Sequence, residues 1–463
     1  MKISAKKNNL SGHITVPGSK SHTIRALLLA SLAEGVSKIF NPLPSADCLS
    51  AAHAIPLMGA EVDFNEDAAE KAWTVKGAGK AIHLPSDVVN VGDSGSLLYF
   101  MSPLAATFEG WSIFTGDASL RRRPVFHVAD VLTQMGAEAY CAVPGSKTCP
   151  LVVRGPANAD KTVYTEGSIS SQYISGLMMA GLRLNGTLKI ELSDPKETPY
   201  LTMTKIWLES FGAKVTMSED FNHITVSGPV DLKAKDCVIP SDWEAVAFPL
   251  VAAMLTDSEI VIDNVDSSGT QGDDKIVEVL QSVGADIEWD KEKATLTVRG
   301  GKKSRLENKG RLSTEKLPAG ELHVNLSGYP DAICALSVAA CFVEGDIYIE
   351  DIAVCRRKET DRIVVLKKEL EKLGAKVEEG EDFMIIHGHS PLLKDGTPNP
   401  EFVLHGGEVE SYDDHRVAMS LACMGLALPE GQEIVVKDAE CCAVSFPGFY
   451  EQMNTIGAGF SEV

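Results

Sequence analysis

Seven consecutive residues, Arg356 to Arg362, place four cations and two carboxylates on one short stretch of the chain. An apolar strand pattern, Ile347 to Ile349, precedes them, and an apolar helical pattern, Ile363 to Leu366, follows. A charged segment between two buried elements is suited to binding an anion, especially where it opens a helix. A solvated surface face is the alternative, because charge runs are usually exposed.

Three other segments place hydroxyls or small residues directly before an apolar helical pattern. They are 18–25, 92–96 and 168–173. Backbone N–H groups at a helix start, together with hydroxyls and cations such as Lys20 and Arg25, can hold an anion. Taken singly, each segment is a weak signal, because a serine-rich helix start is usually only an N-cap.

Two carboxylates that lie at or just before the start of an apolar helical pattern are candidates for proton transfer. Asp331 follows Pro330 and opens a helical pattern that runs to Ala340, and Glu359 lies inside the charged stretch. We expect both to act in general acid–base catalysis, with Lys20 as a further proton donor or charge stabiliser. For Asp331 the alternative is an ordinary acid at a helix N-terminus.

Composition restricts the possible partners. The chain has 463 residues, 44% hydrophobic and 23% charged, with a net charge of −21. We expect no nucleic-acid or membrane partner, because the negative net charge is repelled by both. We expect a soluble cytoplasmic protein, because its ten scattered cysteines contain no Cys-x-x-Cys pair and are typical of a reducing compartment. No metal site is expected, since His387 and His389 have no third ligand near them in sequence.

A sixfold repeat organises the chain. The pair Gly-Ala ends six helical patterns spaced 72 to 90 residues apart, at Gly59, Gly136, Gly212, Gly284, Gly374 and Gly457. A strand pattern follows most of them, so each unit ends in helix, glycine and strand. Because the repeat places the three hydroxyl-rich helix starts at comparable positions, they are expected to face one cleft. We predict two α/β domains of three repeats each, residues 19–229 and residues 1–18 with 230–463.

Taken together, these segments resemble the 5-enolpyruvylshikimate-3-phosphate synthase family of the enolpyruvyl transferase superfamily. The resemblance runs from Pro17-Gly18-Ser19-Lys20-Ser21 to Ser445-Phe446-Pro447-Gly448-Phe449, and includes 357–362 and Asp414-His415-Arg416 in the family's order. It implies two domains, each of three βαβαββ units around buried parallel helices, with the active site in the cleft between domains. It also implies transfer of an enolpyruvyl group from phosphoenolpyruvate to the 5-hydroxyl of shikimate 3-phosphate, by a monomer without cofactor or metal.

The resemblance assigns roles to individual residues. Phosphoenolpyruvate would be surrounded by Lys20, Arg123, Arg362 and Arg416. Shikimate 3-phosphate would be held by Ser21, Arg25, Ser170, Ser171, Gln172, Tyr200, Asp331 and Lys358, and Gly95 belongs to a substrate-binding loop. Asp331 would lie at the reacting hydroxyl, and Glu359 would transfer the proton at the enolpyruvyl methylene.

Five positions depart from the family pattern. Asp93 and Val354 each replace an asparagine of the family, and Tyr99 replaces an arginine. Glu197 replaces a serine that helps bind the shikimate phosphate, and Val444 replaces a catalytic lysine. The two acids would repel a phosphate unless they have partners, for which Arg121 and Arg122 are candidates. A longer loop over 194–198 is an alternative alignment at Glu197. Two other functions therefore stay open: transfer to a different alcohol, and a catalytically weak paralogue.

Overall fold

The structure, a computed structural model, describes residues 1–64 and 72–463, and these divide into two compact units. The first unit is Gly18–Pro240, and the second unit combines Met1–Pro17 with Ser241–Val463. Within the described ranges, no helix is both long enough and apolar enough to cross a membrane.

Three four-stranded sheets form in the described part of the first unit. In spatial order they are β14 (Cys237–Val238), β3 (Glu34–Phe40), β5 (Ala72–Ala78) and β4 (Glu61–Asp63); β6 (Val89–Asn90), β7 (Gly110–Thr115), β9 (Leu151–Gly155) and β8 (Glu138–Cys141); and β10 (Thr162–Glu166), β11 (Gly186–Ser193), β13 (His223–Gly228) and β12 (Lys214–Met217). Each sheet has one parallel pair followed by two antiparallel pairs.

The second unit repeats this topology three more times in its described residues. Its sheets are β2 (Ser11–Thr15), β15 (Glu259–Asp263), β17 (Thr295–Arg299) and β16 (Asp286–Asp290); β18 (Glu321–Asn325), β19 (Gly345–Glu350), β21 (Phe383–Gly388) and β20 (Lys376–Glu379); and β22 (Gly407–Glu410), β23 (Glu433–Lys437), β1 (Lys2–Lys6) and β24 (Ser461–Glu462). The predicted sixfold repeat is therefore confirmed as six sheets of one topology.

Two kinds of helix accompany the sheets. The first unit has α1 (Lys20–Leu32), α2 (Ala46–Ala54), α3 (Gly95–Ala105), α4 (Phe126–Gln134), α5 (Ser171–Gly181) and α6 (Thr198–Ser210), and the second unit has α7 (Trp243–Leu255), α8 (Ile276–Ser282), α9 (Ile333–Ala340), α10 (Arg362–Lys372), α11 (His415–Ala427) and α12 (Phe449–Thr455). The odd-numbered helices are buried on nearly every side, as their largely apolar sequences predict. The even-numbered helices bury one face and precede the repeat glycines.

All six repeat glycines adopt the left-handed conformation, with φ between 88° and 103°. This conformation ends each helix at little cost only when the residue has no Cβ, which explains why glycine recurs there. Strands β4, β8, β12, β16, β20 and β24 follow the six glycines, whereas the sequence pattern predicted a strand after most of them.

The chain passes between the units at Pro17–Gly18 and Pro240–Ser241. Gly18 and residues 230–240, which we expected in the second domain, lie in the first unit. Residues 230–240 belong there because β14 pairs in parallel with Ile39 and Phe40 of β3. Strand β2 pairs in parallel with β15 of the second unit, so the N-terminal segment completes a sheet formed mainly by later residues.

Candidate functional site

The acid–base candidates of the second unit lie together at helix starts. Asp331 occupies a short 3-10 turn, Pro330–Ala332, directly before α9, because Pro330 fixes the first helical φ angle. Its Oδ2 lies 3.2 Å from Lys358 Nζ, and its Oδ1 accepts a hydrogen bond from Arg362 Nη1. Lys358 and Arg362 lie on either side of Glu359 in sequence, so this segment wraps around the Asp331 carboxylate.

Arg362 is the centre of this cluster. It is the first residue of α10, which Asp361 caps by accepting from Val364 N. Its guanidinium has no solvent exposure and donates to Glu359 Oε2 at 2.7 Å and to Asp414 Oδ2 at 2.8 Å. The planar fork of an arginine presents its N–H donors in fixed directions, which suits it to hold several carboxylates in one geometry.

The charges in the cluster shift each other's pKa values. Burial alone would raise the pKa of Asp331, but Lys358 and Arg362 outweigh it and lower that pKa to about 2. Burial opposes the charge of Arg362, but Asp414 and Glu359 raise the pKa of its guanidinium well above the ordinary value. In this arrangement, Asp331 is ionised and a weak base.

Arg416 joins the cluster from α11. Its Nη2 donates to Glu244 at the start of α7, and its Nε lies 3.5 Å from Asp331 Oδ1. The sequence analysis did not assign Glu244 or Asp414 a role. For Glu244 the repeat held a usable signal, because α7 is a buried apolar helix whose start is equivalent to that of α9.

In the first unit, Arg25 is buried beside four polar partners. Its Nε donates to Thr204 Oγ1 at 2.9 Å, while other guanidinium nitrogens lie near Ser175 Oγ and the backbone oxygens of Ser21 and Tyr200. Burial lowers the pKa of the Arg25 guanidinium to about 10. Thus Ser21, Arg25 and Tyr200, which the resemblance groups together, are in contact.

Lys20 begins α1 and pairs with a residue that sequence reasoning missed. Its Nζ lies 3.0 Å from Asp47 Oδ2, and the two side chains are 14% and 6% exposed. Asp47 lies in the first turn of α2, where an acid is also favoured by the helix dipole. No motif distinguishes it from an ordinary N-terminal acid.

The starts of α3 and α5 meet in the same unit. A methyl group at Gly95 would lie 3.3 Å from Arg123 Nη1 and 3.9 Å from Gln172 Oε1. Arg123 Nη2 donates to Asp93 Oδ1 at 3.0 Å. Asp93 therefore has a cation partner, but it is Arg123 and not the exposed Arg121 or Arg122.

The α5 start carries the three predicted hydroxyl and amide residues. Ser170 caps the helix by accepting from Gln172 N at 3.2 Å. Ser171 donates both its backbone N–H and its hydroxyl to Glu197 Oε2, each at 2.9 Å. Glu197, which departs from the family pattern, thus accepts two hydrogen bonds from Ser171, a residue predicted to bind substrate.

The whole chain matches one family. A family model described as EPSP synthase (3-phosphoshikimate 1-carboxyvinyltransferase) matches residues 4–453. The chain belongs to the EPSP synthase family. Curated relatives named 3-phosphoshikimate 1-carboxyvinyltransferase include those of Ruminiclostridium cellulolyticum, 33% identical over 99% of both chains, and Methanosarcina acetivorans, 35% identical over 100% of this chain and 99% of the relative.

Solved structures agree with this assignment. EPSP synthase from Acinetobacter baumannii has a TM-score of 0.77 at 26% identity and covers 99% of both chains. The enolpyruvyl transferase NikO from Streptomyces tendae has a TM-score of 0.74 at 16% identity, covering 100% of this chain and 98% of its own, which shows a shared fold. The two-domain enolpyruvyl transferase fold is therefore confirmed.

Three other departures from the EPSP synthase pattern are apolar or aromatic. Tyr99 donates to Pro124 O at 3.2 Å, its ring lies against His127 and Tyr173, and burial raises the pKa of its hydroxyl. Val354 packs against the core of the second unit, and Val444 ends the 3-10 turn Ala439–Val444. Within the described ranges, no group of three His, Cys, Asp or Glu side chains is arranged to hold a metal ion.

Proposed function

We propose that this protein transfers the enolpyruvyl group of phosphoenolpyruvate to the 5-hydroxyl of shikimate 3-phosphate and releases phosphate. The observation that carries the proposal is the cluster in which Asp331, Glu359 and Asp414 share the buried Arg362. It supplies two carboxylates for proton transfer beside cations for an anionic substrate. Family membership over residues 4–453 supports the same activity.

The reaction is an addition followed by an elimination. In the addition, the acceptor hydroxyl loses its proton, its oxygen bonds to the enol carbon, and the methylene carbon gains a proton. Elimination removes a proton from the resulting methyl group and expels phosphate. We propose that Asp331 lies at the acceptor hydroxyl and removes its proton, and that Glu359 transfers the proton at the methylene carbon. Lys20 is a further proton donor.

Substrate binding prepares the base. Arg362 and Lys358 lower the pKa of Asp331, and both are also the groups proposed to bind anionic substrates. When a phosphate or carboxylate of the substrates takes hydrogen bonds from these cations, their effect on Asp331 weakens. The pKa of Asp331 then rises toward the range in which a carboxylate is an effective base.

The remaining assignments follow the family motifs. For phosphoenolpyruvate we propose Lys20, Arg123, Arg362 and Arg416, and for shikimate 3-phosphate we propose Ser21, Arg25, Gly95, Ser170, Ser171, Gln172, Tyr200 and Lys358. We further propose a cytoplasmic monomer. The ten cysteines are all free thiols, which fits a reducing compartment, and light scattering after size-exclusion chromatography tests the monomer.

One assay tests the function. Purified protein is incubated with phosphoenolpyruvate and either shikimate 3-phosphate or UDP-N-acetylglucosamine, and phosphate release is measured against phosphoenolpyruvate alone. Release with shikimate 3-phosphate supports the proposal. Release with neither acceptor contradicts it. Transfer to an alcohol without a phosphate is the second candidate, favoured by Glu197 on Ser171, and unphosphorylated shikimate in the same assay tests it.

A further inference from the structure

Glu197 is held in an unusual backbone conformation with its side chain buried. It immediately precedes α6 with φ 50° and ψ 36°, a left-handed conformation that non-glycine residues rarely adopt. The residue is 3% exposed. A residue in a strained backbone conformation persists only when its surroundings stabilise it, and for Glu197 those surroundings include the groups that its carboxylate binds.

The carboxylate occupies the first hydrogen-bond donors of α5. One oxygen, Oε2, accepts from both the backbone N–H and the hydroxyl of Ser171, each at 2.9 Å; we call these two groups the Ser171 donor pair. The next N–H, of Gln172, is taken by the Ser170 hydroxyl. A helix start with a serine hydroxyl suits a phosphate oxygen as well as a carboxylate, and here the protein supplies the anion itself.

Cations of the same unit are also engaged by carboxylates. Arg123 holds Asp93 at 3.0 Å, Lys20 holds Asp47 at 3.0 Å, and Lys196, adjacent to Glu197, holds Asp194 at 3.3 Å. Arg123 also lies near the start of α5, because a methyl group at Gly95 would be 3.3 Å from Arg123 Nη1 and 3.9 Å from Gln172 Oε1. An incoming dianion at Ser171 must therefore displace an internal carboxylate as well as shed its own water.

We propose that Glu197 is a specificity-determining residue, an internal carboxylate that competes with the phosphate of the acceptor for the Ser171 donor pair. The inference rests on the proposed function, because it takes Ser170, Ser171 and Gln172 as acceptor-binding residues. It follows that the acceptor phosphate contributes little to binding. The enzyme then discriminates weakly between shikimate 3-phosphate and shikimate.

Two variants test the competition. Glu197→Ser vacates the Ser171 donor pair, and Glu197→Gln keeps an oxygen acceptor but removes the charge. For Glu197→Ser we expect the KM for shikimate 3-phosphate to fall at least about tenfold, with kcat and the KM for shikimate changed less than about threefold. For Glu197→Gln we expect a smaller fall. Glu209→Gln, on the exposed face of the same helix, is the matched control and should change neither KM.

The KM comparison has clear opposing outcomes. An unchanged or higher KM for shikimate 3-phosphate in folded Glu197→Ser protein would overturn the inference and leave Glu197 a structural residue. If Glu197→Ser does not fold, Glu197→Gln decides in the same way. Circular dichroism and the thermal midpoint establish folding for each variant.

A binding measurement separates this inference from the proposed function. If wild type and variants turn over neither acceptor, the proposed function has failed, and Glu197 is tested with inorganic phosphate alone by isothermal titration calorimetry. Tighter phosphate binding by both variants than by wild type and Glu209→Gln, at least about tenfold for Glu197→Ser, supports the internal competitor. Equal dissociation constants in all four proteins would overturn it.

Discussion

Arg362 and Asp414 form an ion pair from which solvent is fully excluded. Arg362 Nε lies 2.8 Å from Asp414 Oδ2, its Nη2 lies 3.2 Å from Asp414 Oδ1, and both side chains are 0% exposed. Glu359 and Asp331 bind nitrogens of the same guanidinium, so one buried cation holds three carboxylates. Removing that cation leaves three desolvated carboxylates without their common partner, which is far more costly than losing an exposed ion pair.

Replacing Arg362 by methionine should therefore destabilise the second unit. We expect Arg362→Met to lower the free energy of unfolding by about 3–5 kcal/mol, measured by urea denaturation. Lys76→Met removes a comparable pair, Lys76 with Glu61 at 2.7 Å, whose side chains are 61% and 73% exposed. That variant should lose at most about 1 kcal/mol. Equal losses would show that burial does not set the strength of the Arg362 cluster.

Glu359 should be needed for turnover and not for folding. Loss of a general acid–base group typically costs about 10²–10⁴-fold in rate, so we expect Glu359→Gln to lower kcat by that factor at saturating substrates. The glutamine keeps an oxygen for Arg362 Nη2. Glu371→Gln, on α10 beside Lys367, is the control and should retain wild-type turnover. Full activity of Glu359→Gln would rule out the assigned proton transfer.

Asp93 should weaken phosphoenolpyruvate binding by holding Arg123. In Asp93→Asn the ion pair at 3.0 Å is lost, so one carboxylate that competes with the substrate for Arg123 is removed. We expect the KM for phosphoenolpyruvate to fall about three- to tenfold with kcat little changed, the pattern of a change in uniform binding. Steady-state phosphate release measures both constants. Asp130→Asn removes an exposed carboxylate of α4 and should leave them unaltered, whereas a raised KM for Asp93→Asn would mean that Asp93 positions Arg123 productively.

Local sequence patterns predicted the repeat and the helix starts because both depend on short-range chemistry. Glycine ends a helix through its own backbone freedom, and an apolar run marks a buried helix wherever it occurs. These patterns correctly placed Asp331 before α9 and Arg362 at the start of α10. The end of the first unit was harder to predict, because β14 has only two residues and no periodicity of its own.

The pairing of charges was not predictable from one sequence. Asp414 lies 52 residues from Arg362, and Glu244 lies 172 residues from Arg416. Such contacts depend on how buried helices pack, and no local pattern records that. For the same reason the sequence does not identify the cation that pairs with Asp93. Arg121 and Arg122 are exposed, and it is Arg123 that donates to the Asp93 carboxylate.

The low pKa of Asp331 makes the stability of the protein depend on pH in a definite direction. Because its pKa is lowered from 3.8 to about 2 in the folded state, the ionised carboxylate is favoured by folding. The stabilisation is complete above about pH 4, amounts to roughly 2 kcal/mol, and is lost as pH falls toward about 2. Asp331→Asn lacks this contribution. We therefore expect the thermal unfolding midpoint of wild type to be higher than that of Asp331→Asn near neutral pH. The difference between the two midpoints should become smaller as the pH falls from about 4 to about 2. Glu209→Gln, an exposed carboxylate variant, should follow wild type throughout, and a constant gap for Asp331→Asn would mean that Lys358 and Arg362 do not hold the carboxylate ionised.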